Sequence, residues 1–237
     1  MKRGGELKTF GFDIKDRKPA KEAAEEINEE YLGLFERFAV ESSPELKSLE
    51  NRMHAKYQER CRMYGIEPPP SPAVFYIPFS KREELWIQKP GLNGSIGLFH
   101  SHSNSILVVF GDVLPQIVTA RILGHELDHA YAYANLKITY RPDGPSKQVP
   151  STYRSGCAIN SPNGPYGWIL EEGRVVLEEI QNYHQVLSSE FPDQYREQEE
   201  MSVEFARVNN KNIYTDFGVF LRDPSTGTVH VIPSTYS

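Results

Sequence analysis

The residues whose types and spacing most plainly carry chemistry are His125, Glu126 and His129. They stand in Gly124-His125-Glu126-Leu127-Asp128-His129-Ala130, an H-E-x-x-H pattern. On a helix, positions i and i+4 share one face, so both imidazoles can converge on one cation. Neutral imidazoles suit Zn²⁺, and a hydrolytic zinc site takes three protein ligands and leaves a fourth position for water. Glu126 is offset around the helix, where a carboxylate faces that water and accepts its proton. We read the two histidines as a metal site rather than as partners in a helix interface.

The third ligand must come from another segment. Trp168-Ile169-Leu170-Glu171-Glu172-Gly173 opens a downstream helix and offers two carboxylates. Acids in a first turn also favour the positive end of the helix dipole, and both roles can hold at once.

The elements that must position these groups follow from the patterning. Pro19 to Val40 reads as an amphipathic helix behind a polar arm, with Ala23, Ile27, Tyr31, Leu34 and Phe38 at helical spacing. Ser43-Pro44 opens a second helix that runs to Gly65. The proline run Pro68 to Pro72 admits no helix and divides a helical region, 1–67, from a domain over 73–237. Strands are expected at Val74–Phe79, Leu85–Gln88, Ile96–His100 and Ile106–Phe110. The motif helix should start near Pro115 and reach about Asn135, followed by a Pro-, Gly- and Ser-rich loop from Arg141 to Pro165. Helices over Trp168–Ser188 and Asp193–Val208 and a hairpin from Ile213–Leu221 and Thr228–Ile232 complete an α+β chain.

These motifs resemble the gluzincin metallopeptidases, which join H-E-x-x-H to a glutamate ligand on a following helix. Leu170-Glu171-Glu172-Gly173 is similar to the Leu-Asn-Glu-Gly stretch of the aminopeptidase branch, which implies Glu172 as the ligand. Ser105 to Asp112 is similar to the strand that thermolysin-like enzymes place before the active helix. The resemblance covers roughly Ile106 to Glu179. It implies a zincin-like core: a small mixed sheet with an edge strand, an active-site helix and a glutamate helix, with N-terminal helices and a C-terminal β-hairpin added. It also implies a peptide or protein substrate lying along Ser105 to Phe110 as an added strand. Where thermolysin-like enzymes carry an orienting Asp after the ligand, this chain has Val176, so Glu178 or Glu179 stands in for it or the orienting group lies elsewhere. Lethal-factor-like members place a tyrosine a few residues before their glutamate, which makes Tyr166 the first choice as transition-state donor, ahead of His184 and His230.

Other readings are narrower. His125-Glu126-Leu127-Asp128-His129 also resembles the H-E-x-D-H of peptide deformylases, but the upstream cysteine, Cys61, lacks their Glu-Gly-Cys context, and Cys157 lies on the wrong side. A non-catalytic zinc-binding scaffold, or an enzyme kept latent by its own tail from Ile213 to Ser237, is the alternative from another class. His100 and His102 alternate along one strand and are weighed as further ligands or as part of an exposed edge.

Composition bounds the rest. The 237 residues carry a net charge of -6, with 39% hydrophobic and 24% charged content, and no long basic patch to hold nucleic acid. The first residues have no apolar signal core, no run approaches the roughly 18 apolar residues of a membrane span, and two cysteines make no disulfide framework. The expectation is a cytoplasmic protein with no membrane partner.

Overall fold

The computed structural model describes residues 8–9, 29–65, 67–68, 70–89, 95–100, 103–111, 114–131, 134–140, 148–155, 158–161, 164–209 and 218–233. At 8–9, 134–140, 148–155, 158–161, 164–165, 168–169, 172, 176–183, 218–219 and 232–233 it describes the backbone alone.

Helix α1 (29–38) buries Leu34, Phe35 and Phe38, the stripe its periodicity predicts. Helix α2 (Pro44–Met63) starts where Ser43 Oγ accepts a hydrogen bond from the Leu46 N–H at 3.2 Å, with Pro44 in the first turn. It stops just before Gly65, whose φ of 64° suits a residue without a Cβ. Strand β2 (Ala73–Pro78) follows the proline run. Arg82 to Gln88 then form helix α3, not the expected strand. Only Leu85 of that segment is fully buried, Glu83 and Glu84 sit in the first turn, and the Arg82 guanidinium lies over the Phe79 and Trp86 rings. One buried position with helix-forming neighbours outweighs the β-preference of Trp and Ile.

Strands β3 (Gly97–His100) and β4 (Ser105–Phe110) complete a three-stranded sheet in the order β2-β4-β3, parallel between β2 and β4 and antiparallel between β4 and β3. β4 is therefore the central strand, with Ser105 through Val109 buried. Both of its backbone edges are taken, so a peptide cannot add along Ser105 to Phe110. Among the described residues the sheet ends at β3, while the outer side of β2 is met by Val40, whose N–H donates to the Tyr76 carbonyl at 3.0 Å.

Helix α4 (Gln116–Tyr131) carries the H-E-x-x-H motif and is buried from Ile117 to Ala130 except at Arg121. It packs on β4 and β3, on α2 and on α5 (Trp168–Glu190). Its first turn is tied from helix α6 (Pro192–Val208), where Gln194 Oε1 accepts the Ile117 N–H at 3.1 Å. The helix ends at Tyr131, short of Asn135, because Ala134–Tyr140 forms strand β5. The expected loop over 141–165 contains three further strands, β6 (Gln148–Ser155), β7 (Ala158–Ser161) and β8 (Gly164–Tyr166). With β1 (Lys8–Thr9), drawn from the expected polar arm, they form a five-stranded sheet in the order β1-β5-β6-β7-β8. Hairpin β9 (Gly218–Arg222) and β10 (Val229–Pro233) lies on α6 through Met201, Phe205, Phe220, Val229 and Val231.

Leu34, Phe35, Phe38, Leu49, Met53 and Tyr57 from before the proline run share one apolar cluster with Ile77, Ile106, Leu123 and Leu127 from after it. The chain is thus α+β, with the motif helix at the centre of its core. No helix among the described residues is long and apolar enough to cross a membrane.

Candidate functional site

His125, Glu126, Asp128 and His129 are 8, 4, 0 and 5% exposed, so the motif is held in the interior rather than displayed on the surface. The two imidazoles meet edge to face, with Nε2 of one 3.2 Å from Nε2 of the other. Two facing ring nitrogens can share one proton, or both can turn lone pairs on one cation. The 3.2 Å gap lets both reach one ion at the ~2.0–2.1 Å of a Zn–N bond, at close to a tetrahedral angle. The donor set therefore fits zinc as a ligand pair.

Glu126 lies on the side of α4 turned to strand β3. A Cβ built on Gly97 would come within 2.6 Å of Glu126 Oε1 and 2.6 Å of Ile122 Cγ2. The carboxylate is thus packed against the outermost strand of the small sheet.

Helix α5 brings Glu171 to the same place. Its side chain is fully buried, and Oε1 lies 3.7 Å from His129 Nδ1, the nitrogen on the ring side away from Nε2. That separation exceeds a hydrogen bond but allows the charge to orient an imidazole N–H. Arg174 grips the carboxylate with two donors, Nη2 to Oε1 at 2.5 Å and Nε to Oε2 at 3.1 Å. The contact pairs the carboxylate side by side with the guanidinium. Glu171 therefore faces the outer nitrogen of a proposed ligand. Glu172 follows it in α5 at a different angle around the helix, and its side chain lies outside the described residues. Among the described residues no group of three His, Cys, Asp or Glu side chains is arranged to hold a metal ion.

A second buried polar group secures the end of α4. His54 Nδ1 is 2.8 Å from the Tyr131 hydroxyl, and Tyr57 stacks on Tyr131 with centroids 4.1 Å apart. Glu50, itself buried, accepts from Tyr76 Oη at 3.2 Å and Lys47 Nζ at 2.5 Å. Burial holds the His54 imidazole below its ordinary value, the nearby Glu50 opposing. Burial and the Glu50 charge push the Tyr76 phenol up. The network fixes α2 to the helix two residues beyond His129.

The remaining residues singled out by sequence have surroundings of their own. Tyr166 ends β8 with 57% of its surface exposed, just before Gly167, whose φ of 75° turns the chain into α5. His184 faces α6, its Nδ1 2.5 Å from the Tyr195 hydroxyl, and His230 is exposed on β10. His100 stacks on Tyr31 at 4.1 Å and meets Ser103 Oγ at 2.7 Å, which makes it part of the packing of α1 on β3. His102 and Cys157 lie outside the described residues, as do the side chains of Val176, Glu178 and Glu179. Cys61 packs on the core from α2.

Glu171 was offered by sequence beside Glu172 but passed over on motif similarity, and Arg174 and Gly97 were not marked out. A helical count could have favoured Glu171, since it and Val175 are four apart and both fully buried on the face turned to α4. Gly97 gave no local signal, because its reason is a neighbour remote in sequence.

No protein-family model matches this chain, and no curated protein or solved structure matches it either.

Proposed function

We propose that the chain is a zinc-dependent peptidase with a gluzincin-like, zincin-type core, in which His125, His129 and Glu172 hold the metal and Glu126 is the general base. One observation carries this: a pair of buried imidazoles on α4 with their Nε2 atoms 3.2 Å apart and, in the same motif, a glutamate packed on an outermost strand. Bound there, Zn²⁺ supplies Lewis acidity and lowers the pKa of a water from 15.7 to about 7.

The chain's own groups do the rest. His129 serves as a neutral ligand through Nε2 when its proton sits on Nδ1, the tautomer that the Glu171 charge favours. Glu126 takes a proton from the attacking water on its carboxylate and returns it to the leaving amine nitrogen. A substrate backbone is proposed to run along β3, Gly97–His100, and so to pass beside Glu126. Tyr166, exposed at the entry to α5, is assigned as donor to the developing oxyanion.

Incubating the zinc-loaded protein with a peptide library and reading new termini by mass spectrometry tests this. Cleavage by wild type should fall on the order of 10²–10⁴-fold in Glu126→Gln, with zinc retained. Equal cleavage by both would remove Glu126 from the reaction. No cleavage by either would leave a zinc scaffold without turnover.

A further inference from the structure

Gly97 is a glycine for want of space, not for backbone freedom. It has no positive φ, and it lies in paired strand β3, where glycine weakens the element. A Cβ there would meet two atoms at 2.6 Å, Glu126 Oε1 and Ile122 Cγ2, with Glu126 Cγ at 3.0 Å. Gly33 and Gly173, by contrast, have nothing within 4 Å of such an atom. Two of the three close atoms belong to the proposed base.

We propose that Gly97 is a positioning residue for Glu126: its bare Cα lets the carboxylate seat against β3, along the line proposed for the substrate. This rests on the role of Glu126 given above. An added methyl makes two contacts to relieve. The carboxylate is the far end of a flexible side chain and can swing away. Ile122 Cγ2 belongs to a β-branched side chain on a buried helix and cannot move as readily. Both contacts must be relieved: the Glu126 carboxylate swings off β3, and Ile122 Cγ2, also 2.6 Å away, has to yield separately. The Glu126 displacement is therefore read most cleanly where Ile122 is truncated. A shift of about 1 Å in a reacting group costs on the order of 10²-fold in rate.

The test is a crystal structure, a zinc assay and steady-state kinetics on Gly97→Ala. Gly97→Ala/Ile122→Ala, compared with Ile122→Ala, removes the aliphatic clash should the single variant fold poorly. In the Ile122→Ala background, where the aliphatic clash is gone, the expected structure of the Gly97→Ala variant shows the Glu126 carboxylate turned off β3, with β3 and both histidines in place and zinc binding unchanged. Expected kinetics are a kcat lowered about 100-fold with KM within about 3-fold. Introduced into Glu126→Asp, whose carboxylate is one methylene shorter, Gly97→Ala should change kcat by less than about 3-fold, because both changes act through one group. An unmoved Glu126 with a displaced β3, an unchanged kcat, an undiminished effect in Glu126→Asp, or loss of folding in both alanine variants would each overturn the proposal. If the zinc-loaded wild type cleaves no peptide, the peptidase reading fails while the crystal structure still decides the role of Gly97.

Discussion

Replacing Glu171 separates the proposed outer partner of His129 from the proposed ligand beside it. The carboxylate is fully buried, 3.7 Å from His129 Nδ1, and held by two Arg174 donors. Two costs follow from Glu171→Ala. The first falls on metal affinity: losing an outer-shell partner of a histidine ligand weakens binding ~10–100-fold, about 1.4–2.7 kcal/mol. The second falls on the metal-free fold. Breaking a buried ion pair by removing one member costs ~3–5 kcal/mol, but the Arg174 side chain is 25% exposed and can turn to water, so ~2–3 kcal/mol is expected. Glu171→Gln keeps the volume without the charge, so it should recover most of the stability and still bind zinc ~10-fold more weakly. Chelator competition gives the affinity, and urea unfolding in EDTA gives the stability. If Glu171→Ala binds zinc within twofold of wild type, Glu171 does not orient His129. If Glu171→Gln matches wild type in affinity while Glu171→Ala does not, volume rather than charge is what matters.

Two other predictions concern the frame. The folded pKa of His54 lies below its ordinary 6.5, so the unfolded chain takes up this proton first. The stability from neutral His54 is then complete above pH 6.5 and is lost as pH falls through the lower folded value. Urea midpoints between pH 7.5 and 5 should fall less steeply in His54→Gln than in wild type, and equal slopes would refute the assignment. Gln198 is buried and bonds both the N–H and the C=O of Phe220 on β9, at 3.1 and 2.8 Å. Gln198→Ala should cost ~2–4 kcal/mol and speed hydrogen exchange at the Phe220 amide; a loss under about 0.5 kcal/mol would show that the hairpin is held by apolar contact alone.

Sequence reading went furthest where a local rule and the tertiary environment agree. Ser43-Pro44 capped and started α2, the all-apolar Ile106 to Val109 became the central strand, and H-E-x-x-H at helical spacing put two imidazoles on one face of α4. It failed where partners remote in sequence decide. Nothing in the polar run Gln148–Ser155 announces a strand, because its pairing with β5 and β7 is a matter of backbone. The same is true of Lys8–Thr9 on β5. Strand patterning identified β4 but could not say that β3 would return antiparallel and take the outer position, which moved the proposed peptide edge from β4 to β3. In Leu170-Glu171-Glu172-Gly173, motif similarity chose between two carboxylates. The helix then turned Glu171 to His129, a role that similarity did not supply.

The most direct test of the central claim is zinc stoichiometry, by elemental analysis of chains purified without chelator. Wild type, Glu171→Ala and Glu172→Ala should be measured side by side with saturating zinc restored. The account predicts about one zinc in wild type and Glu171→Ala and a marked loss in Glu172→Ala. A wild type that carries no zinc and takes none up would contradict it, as would a Glu172→Ala variant that keeps its metal while Glu171→Ala loses it.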